Sequence, residues 1–289
     1  MISDFFKIAK ASIIFSVVVT GCTGMIMARR SFPDLIEALL ILLSLSLSAG
    51  GSAIMNNLLD QKLDEAMPRT RFRSDIINRW GRRKLWIISM LMCVLSVVLL
   101  LDFSFAKVYR LYAILLTLIA ILSYVVWYTL ILKRNGPFGA IIGGLPGALP
   151  VLIGGYGVSD RFAVDIWILF AFMMLWQPAH FWALTLKIQG DYQKAGVPVL
   201  PLVYGNEYTR LYILLYGLSL PPLALALGLS GGHGWIYLIG SSLISAYYVI
   251  RTVRGIYRQE QYGRAFFASI IYMLVIMLLI IIDIFLPLR

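Results

Sequence analysis

Of the 289 residues, 60% are hydrophobic and only 13% are charged, whereas a soluble domain is about half apolar and a quarter charged. The net charge of +11, from 25 Lys/Arg against 14 Asp/Glu, lies on that apolar background, so it points to lipid headgroups and cytoplasmic loops rather than to nucleic acid. A globular nucleic-acid binder, a disordered chain and a secreted disulfide scaffold are excluded, the last because Cys22 and Cys93 stand alone inside apolar runs.

Runs long enough to cross about 30 Å of hydrocarbon occur at nine places. They are 11–28, 35–55, 85–103, 109–130, 139–156, 165–186, 210–229, 234–252 and 267–286. The chain therefore reads as an all-α polytopic membrane protein, expected as a single integral-membrane domain over 1–289. The first run lacks a small-residue cleavage site and is read as a span, not a removed signal peptide. No Arg-rich, acid-poor transit sequence is evident, which favours a bacterial cell (inner) membrane over an organelle. Most of the basic residues fall at the N-terminus and in the loops after spans two, four, six and eight, while few, Arg289 among them, fall on the other side. The positive-inside rule then places the N-terminus in the cytoplasm.

The second span ends in Asn56-x3-Asp60-x3-Asp64, followed by Met67, Arg69-Thr70-Arg71 and Arg73. At about 100° per residue each step of four drifts only about 40°, so the three oxygen-bearing side chains share one helical stripe. Leu59 and Leu63 continue the apolar pattern, and the helix is expected to run on past the hydrocarbon edge. Two carboxylates and an amide on one stripe repel unless a cation lies between them, and hard oxygen ligands suit Mg²⁺, which takes further ligands from a substrate phosphate. The arginines just beyond supply planar donors matched to phosphate oxygens. Together they form what a diphosphate leaving group needs.

This motif resembles the first aspartate-rich motif of the UbiA superfamily of intramembrane prenyltransferases. Nine transmembrane helices is that superfamily's architecture, so the likeness spans nearly the whole chain. Farther along, Tyr128-Thr129-x3-Lys133-Arg134 follows span four, and Gly143-Gly144-Leu145-Pro146-Gly147-Ala148-Leu149-Pro150 holds a GxxxG pair and two prolines. That stretch reads first as close helix packing with a kink, and also as space lining a substrate cavity.

Span six carries Trp176-Gln177-x2-His180-Phe181, and the loop after it carries Asp191-Tyr192-x2-Ala195-Gly196-Val197-Pro198-x-Leu200-Pro201. A Gln, a Pro and a His inside an apolar span are site candidates by default. His180 also reads as a satisfied helix-contact histidine, and His233, in a Gly-rich external turn, reads as structural. These stretches resemble the haem O synthase (protohaem IX farnesyltransferase) branch of the superfamily. The chain departs from the pattern at Lys10-Ala11-Ser12, where the family usually has Lys-Pro, so Lys10 is given no role. It departs again at Gly190, where many members place a second acid beside the position of Asp191, and at Ala179, a frequent proline.

The resemblance implies transfer of a farnesyl group from farnesyl diphosphate to a vinyl group of haem b, completed by water to give haem O. It implies that Asn56, Asp60 and Asp64 hold Mg²⁺, with Asp191 contributing from the opposite side of the cavity. Arg69, Arg73, Lys133 and Arg134 would bind the diphosphate, and His180 is the candidate haem contact, as an axial ligand. Haem A synthase or a terminal oxidase would be the partners receiving the product. A UbiA-type enzyme with an aromatic quinone-precursor acceptor is the alternative within the class. A secondary transporter is the alternative outside it, although no internal repeat supports one.

Overall fold

The computed structural model describes residues 2–101, 108–159, 163–258 and 261–286, and among them every regular element is helical. Residues 102–103, expected to end the third span, and Arg289 lie outside the described residues. A short helix α1 (Ile2–Ile8) enters α2 (Ala11–Arg29) through Lys10, whose backbone is left-handed at φ 55°. A non-glycine residue holds that conformation only where its surroundings enforce it. Asp34 caps α3 (Leu35–Leu59) by accepting from the amides of Ile36 and Glu37 at 3.0 and 3.2 Å.

The helix carrying the carboxylates does not run straight on, contrary to expectation. It breaks at Asp60, where φ is −93° and ψ 9°, and α4 (Gln61–Ala66) resumes immediately. The amides of Asp60 and Asp64 still donate to carbonyls four residues back, at 2.9 Å each, so the side chains stay on one face, around a bend. Next come α5 (Arg71–Trp80), α6 (Arg82–Val98) and α7 (Val108–Leu122). A second departure follows, because the fourth span widens into a π-helical stretch over Ser123–Leu132 before α8 (Lys133–Asn135). The Thr129 hydroxyl donates to the Tyr124 carbonyl, five residues back, at 2.7 Å inside the widened turn. Such turns are uncommon and recur at functional sites.

The Gly/Pro stretch divides into α9 (Gly139–Ile142) and α10 (Leu145–Val158), with Pro146 in the first turn of α10 and Pro150 inside it. The chain continues as α11 (Val164–Lys187), α12 (Gln189–Lys194), α13 (Leu200–Val203), α14 (Gly205–Ser230), α15 (Trp235–Tyr257) and α16 (Tyr262–Phe285). Among the described residues eight helical segments are long and apolar enough to cross a membrane, and α6, at 17 residues, corresponds to the remaining expected span.

α10 is the axis of the bundle, buried along Ala148–Gly155 and packed against α2, α7 and α11. Its contact with α2 is backbone to backbone. A Cβ built on Gly154 would lie 2.9 Å from the carbonyl carbon of Gly21, and one on Gly24 3.1 Å from Val151 Cα. Helices surrounded by lipid gain little from apolar burial alone, so close approach at small residues is what holds them together. At one end of the bundle, Arg30 pairs with Asp165 and donates to the Gly231 carbonyl at 2.7 Å. There Asp283 accepts from the Gly234 amide at 2.8 Å and lies 3.0 Å from His233 Nδ1. His233 is structural, as its sequence context implied. The opposite end holds the carboxylates.

Candidate functional site

Asn56 occupies the last turn of α3, with Asp60 at the break and Asp64 on α4, and all three are buried. Asn56 Nδ2 donates to Asp60 Oδ2 at 2.9 Å and to Thr129 Oγ1 at 2.9 Å, which joins α3 to the π-helical stretch. Lys133, one residue past that stretch, places Nζ 2.6 Å from Asp60 Oδ2. Arg134 lies 3.5 Å from Asp60 Oδ1 and donates to the Leu59 carbonyl at 3.2 Å. From α5, Arg73 pairs with Asp64 Oδ1 at 3.3 Å, while Thr70 donates to the Asp64 carbonyl at 3.3 Å. The sequence-predicted polar and basic side chains therefore converge, although they come from four helices, α3, α4, α5 and α8.

Asp191, on α12, meets this group through Arg69, whose Nε lies 3.7 Å from Asp191 Oδ2. Beneath that pair, Met67 packs with Tyr192, Val197 and Val199, so the two motif loops share a small apolar core. Burial pushes the Tyr192 phenol up, against the opposing pull of Arg69 and Arg73. Among the described residues no three Asp, Glu, His or Cys side chains gather into one metal cage. Asp60, Asp64 and Asp191 are each engaged by a basic partner of their own instead.

Lys10, given no role from the sequence, lies among the candidate site residues. Its Nζ lies 2.5 Å from Asn56 Oδ1 and 3.3 Å from the Tyr124 hydroxyl. Burial first, and then the nearby charges of Arg73 and Lys133, lower its pKa from 10.5 to about 7, while Asp64 and Asp60 pull it back up. The left-handed turn at Lys10 aims it inward. A single lysine directly before the first span was the only signal in the sequence. Thr129 was visible within a motif, but its link to Asn56 depends on the π-helical turn.

Two carboxylate oxygens bear on cation binding. Asp64 Oδ2 is sealed with no hydrogen-bond donor, and Asp60 Oδ1 has only Arg134 at 3.5 Å, beyond a hydrogen bond. Buried polar oxygens seldom go unpaired, and hard oxygens in this arrangement fit a small divalent cation. The surrounding basic side chains fit a polyanion.

His180 stands apart from the carboxylates, at the α11–α16 seam. Its ring stacks between Trp176 at 4.5 Å and Phe266 at 4.4 Å, and Nδ1 lies 2.7 Å from Ser269 Oγ. One turn earlier, Gln177 donates to the Gly144 carbonyl at 2.6 Å and fills the space over Gly147. Tyr128 packs on Gly143. The GxxxG pair thus serves close packing against polar and aromatic side chains, the first of its two readings.

A protohaem IX farnesyltransferase from Geotalea uraniireducens (strain Rf4) is 40% identical over 260 residues, 90% of this chain and 98% of that protein. In three dimensions the chain is similar to a structure described in a study of digeranylgeranylglyceryl phosphate synthase in membranes, with a TM-score of 0.79, 17% identity and coverage of 98% of both chains. It is similar, too, to a UbiA homologue from Archaeoglobus fulgidus bound to GPP and Mg²⁺, with a TM-score of 0.70, 16% identity and coverage of 96% and 99%. The model of the UbiA prenyltransferase family matches residues 17–277, and the chain belongs to that family.

Proposed function

We propose that this chain transfers the farnesyl group of farnesyl diphosphate to a vinyl group of haem b, giving haem O. The observation that carries the chemistry is the buried Asp60–Asp64 pair ringed by Lys10, Arg73, Lys133 and Arg134. The acceptor is supported by the likeness to the Geotalea farnesyltransferase over 90% of the chain.

In this reading Asn56, Asp60 and Asp64, with Asp191 of α12, would hold Mg²⁺. When bound, the ion would neutralise charge on the departing diphosphate. Arg69, Arg73, Lys133 and Arg134 bind the diphosphate oxygens and exchange their present carboxylate partners for them. The C1–O bond breaks with its electron pair leaving on the diphosphate, and the vinyl carbon supplies the pair that bonds to C1. Water then adds to the resulting benzylic-type cation and releases a proton, which completes the hydroxyethylfarnesyl group. The Tyr124 and Tyr128 rings, stacked at 5.8 Å beside Asp60, keep bulk water from the allylic cation. His180 binds the haem.

The whole chain acts as one domain with nine membrane spans, the N-terminus in the cytoplasm of a bacterial inner membrane, and haem O passing to a haem A synthase or terminal oxidase. Mass spectrometry of haems extracted from expressing cells tests the acceptor. A haem O peak is expected, and its absence, with transfer to 4-hydroxybenzoate instead, would select the quinone-precursor alternative. Asp64→Asn in the same cells should lower product by about 100-fold or more at equal protein level. Retained turnover would remove Asp64 from the machinery.

A further inference from the structure

Ser269 lies buried on α16, facing His180 of α11, and no motif or site reading includes it. Its hydroxyl carries one hydrogen. Ser269 Oγ lies 2.6 Å from the carbonyl of Phe266, which can only accept, so that hydrogen is directed back along α16. Toward His180 Nδ1, at 2.7 Å, the same oxygen can then act only as acceptor. The network therefore puts the ring proton on Nδ1 and leaves the lone pair on Nε2.

The ring is also held in orientation. Trp176 and Phe266 sandwich it within 17° and 27° of parallel, and the Trp176 indole donates to the Ser269 carbonyl at 2.8 Å. Both flanking rings are tied to the same turn of α16. Nε2 of His180 has no hydrogen-bond partner among the described residues, yet it is not among the sealed nitrogens, unlike Nε2 of His233. The structural His233 has one nitrogen paired and the other sealed, whereas His180 has one nitrogen tied and the other unsealed.

We infer that Ser269 is a positioning residue that fixes His180 as the Nδ1–H tautomer and presents its Nε2 lone pair to the iron of the haem acceptor. The inference rests on the proposed haem-farnesylating function. Metal-binding histidines commonly donate their second N–H to an oxygen that sets tautomer and orientation, and loss of that partner typically weakens binding roughly 10- to 100-fold.

The test uses the full chain, ¹⁵N-labelled at histidine, in detergent or lipid nanodiscs. With only two histidines in the sequence, the ring signals lost in His180→Gln identify His180. One-bond proton coupling is expected at Nδ1 and not at Nε2. Ser269→Ala should move a measurable share of the proton to Nε2 and weaken haem b binding, read from the Soret band, roughly 10- to 100-fold. Ser269→Thr, which keeps the hydroxyl, should titrate as wild type. A protonated Nε2 in the wild type, or a Ser269→Ala protein that binds haem b with wild-type affinity, overturns the inference. So does an unchanged Soret band in His180→Gln, even if haem O still forms, which separates this failure from failure of farnesyl transfer.

Discussion

At the scale of single residues, the site is a set of buried charges whose partners come from elsewhere in the chain. Lys10 illustrates this, since its Nζ stands 2.5 Å from Asn56 and its neighbours Arg73 and Lys133 both face carboxylates. A diphosphate placed there would take Lys10 as a further cationic ligand. Lys10→Met is expected to raise KM for farnesyl diphosphate about tenfold, consistent with one lost charge-assisted hydrogen bond. An unchanged KM in a labelled-substrate assay would restrict Lys10 to orienting Asn56. At the opposite end, burial lowers the pKa of His233 below its ordinary 6.5, against the opposing pull of Asp283. The unfolded chain then binds more protons than the folded one just below that value. The stabilising contribution is fully present above about pH 6.5 and is lost as the pH falls from there toward the lowered folded value. Thermal melts of the purified protein from about pH 7.5 to about pH 5 should show this loss, and His233→Gln should flatten it. Equal slopes for the two proteins would assign the acid sensitivity elsewhere.

At the scale of elements, two helices depart from ideal geometry, and both departures serve the site. The break at Asp60 and the π-helical stretch over Ser123–Leu132 face each other through Asn56 and Thr129. Spacing along the sequence correctly placed Asn56, Asp60 and Asp64 on one face. It could not reveal the bend, because the Lys133–Asp60 pair that accompanies it crosses from another helix. The π-helical turn was equally hidden, since its residues, Ser123–Leu132, are uniformly apolar but for Ser123, Tyr124, Tyr128 and Thr129, a composition that fits an ordinary span. The α2–α10 seam was partly legible, as glycines in spans are read as contacts. Gly154→Ala would press a methyl against the Gly21 backbone, which cannot retreat as a flexible side chain could. The cost is expected to be about 1–3 kcal/mol, read as a lower unfolding midpoint in detergent. A midpoint unchanged from wild type would show that α2 and α10 can part without penalty.

At the scale of the whole molecule, the helices run so that Lys10, the α3–α5 carboxylates and bases, Lys133 and Asp191 gather at one end, while Arg30, Asp165, His233 and Asp283 gather at the other. The proposed orientation places the first end in the cytoplasm. In spheroplasts, a cysteine at the exposed Arg71 should resist a membrane-impermeant thiol reagent, and one at the exposed Trp235 should react, once Cys22 and Cys93 have been replaced. The reverse pattern would invert the topology. Much was already determined by the sequence alone: a membrane bundle, its helical class, its family resemblance, and a carboxylate stripe followed by arginines. Those properties follow from composition and from spacing along one helix, which are local. Tertiary structure alone decided which base meets which carboxylate, that Lys10 enters the site, and that Ser269 meets His180. Those pairs lie up to 135 residues apart along the chain, and only the packing of one helix on another brings them together.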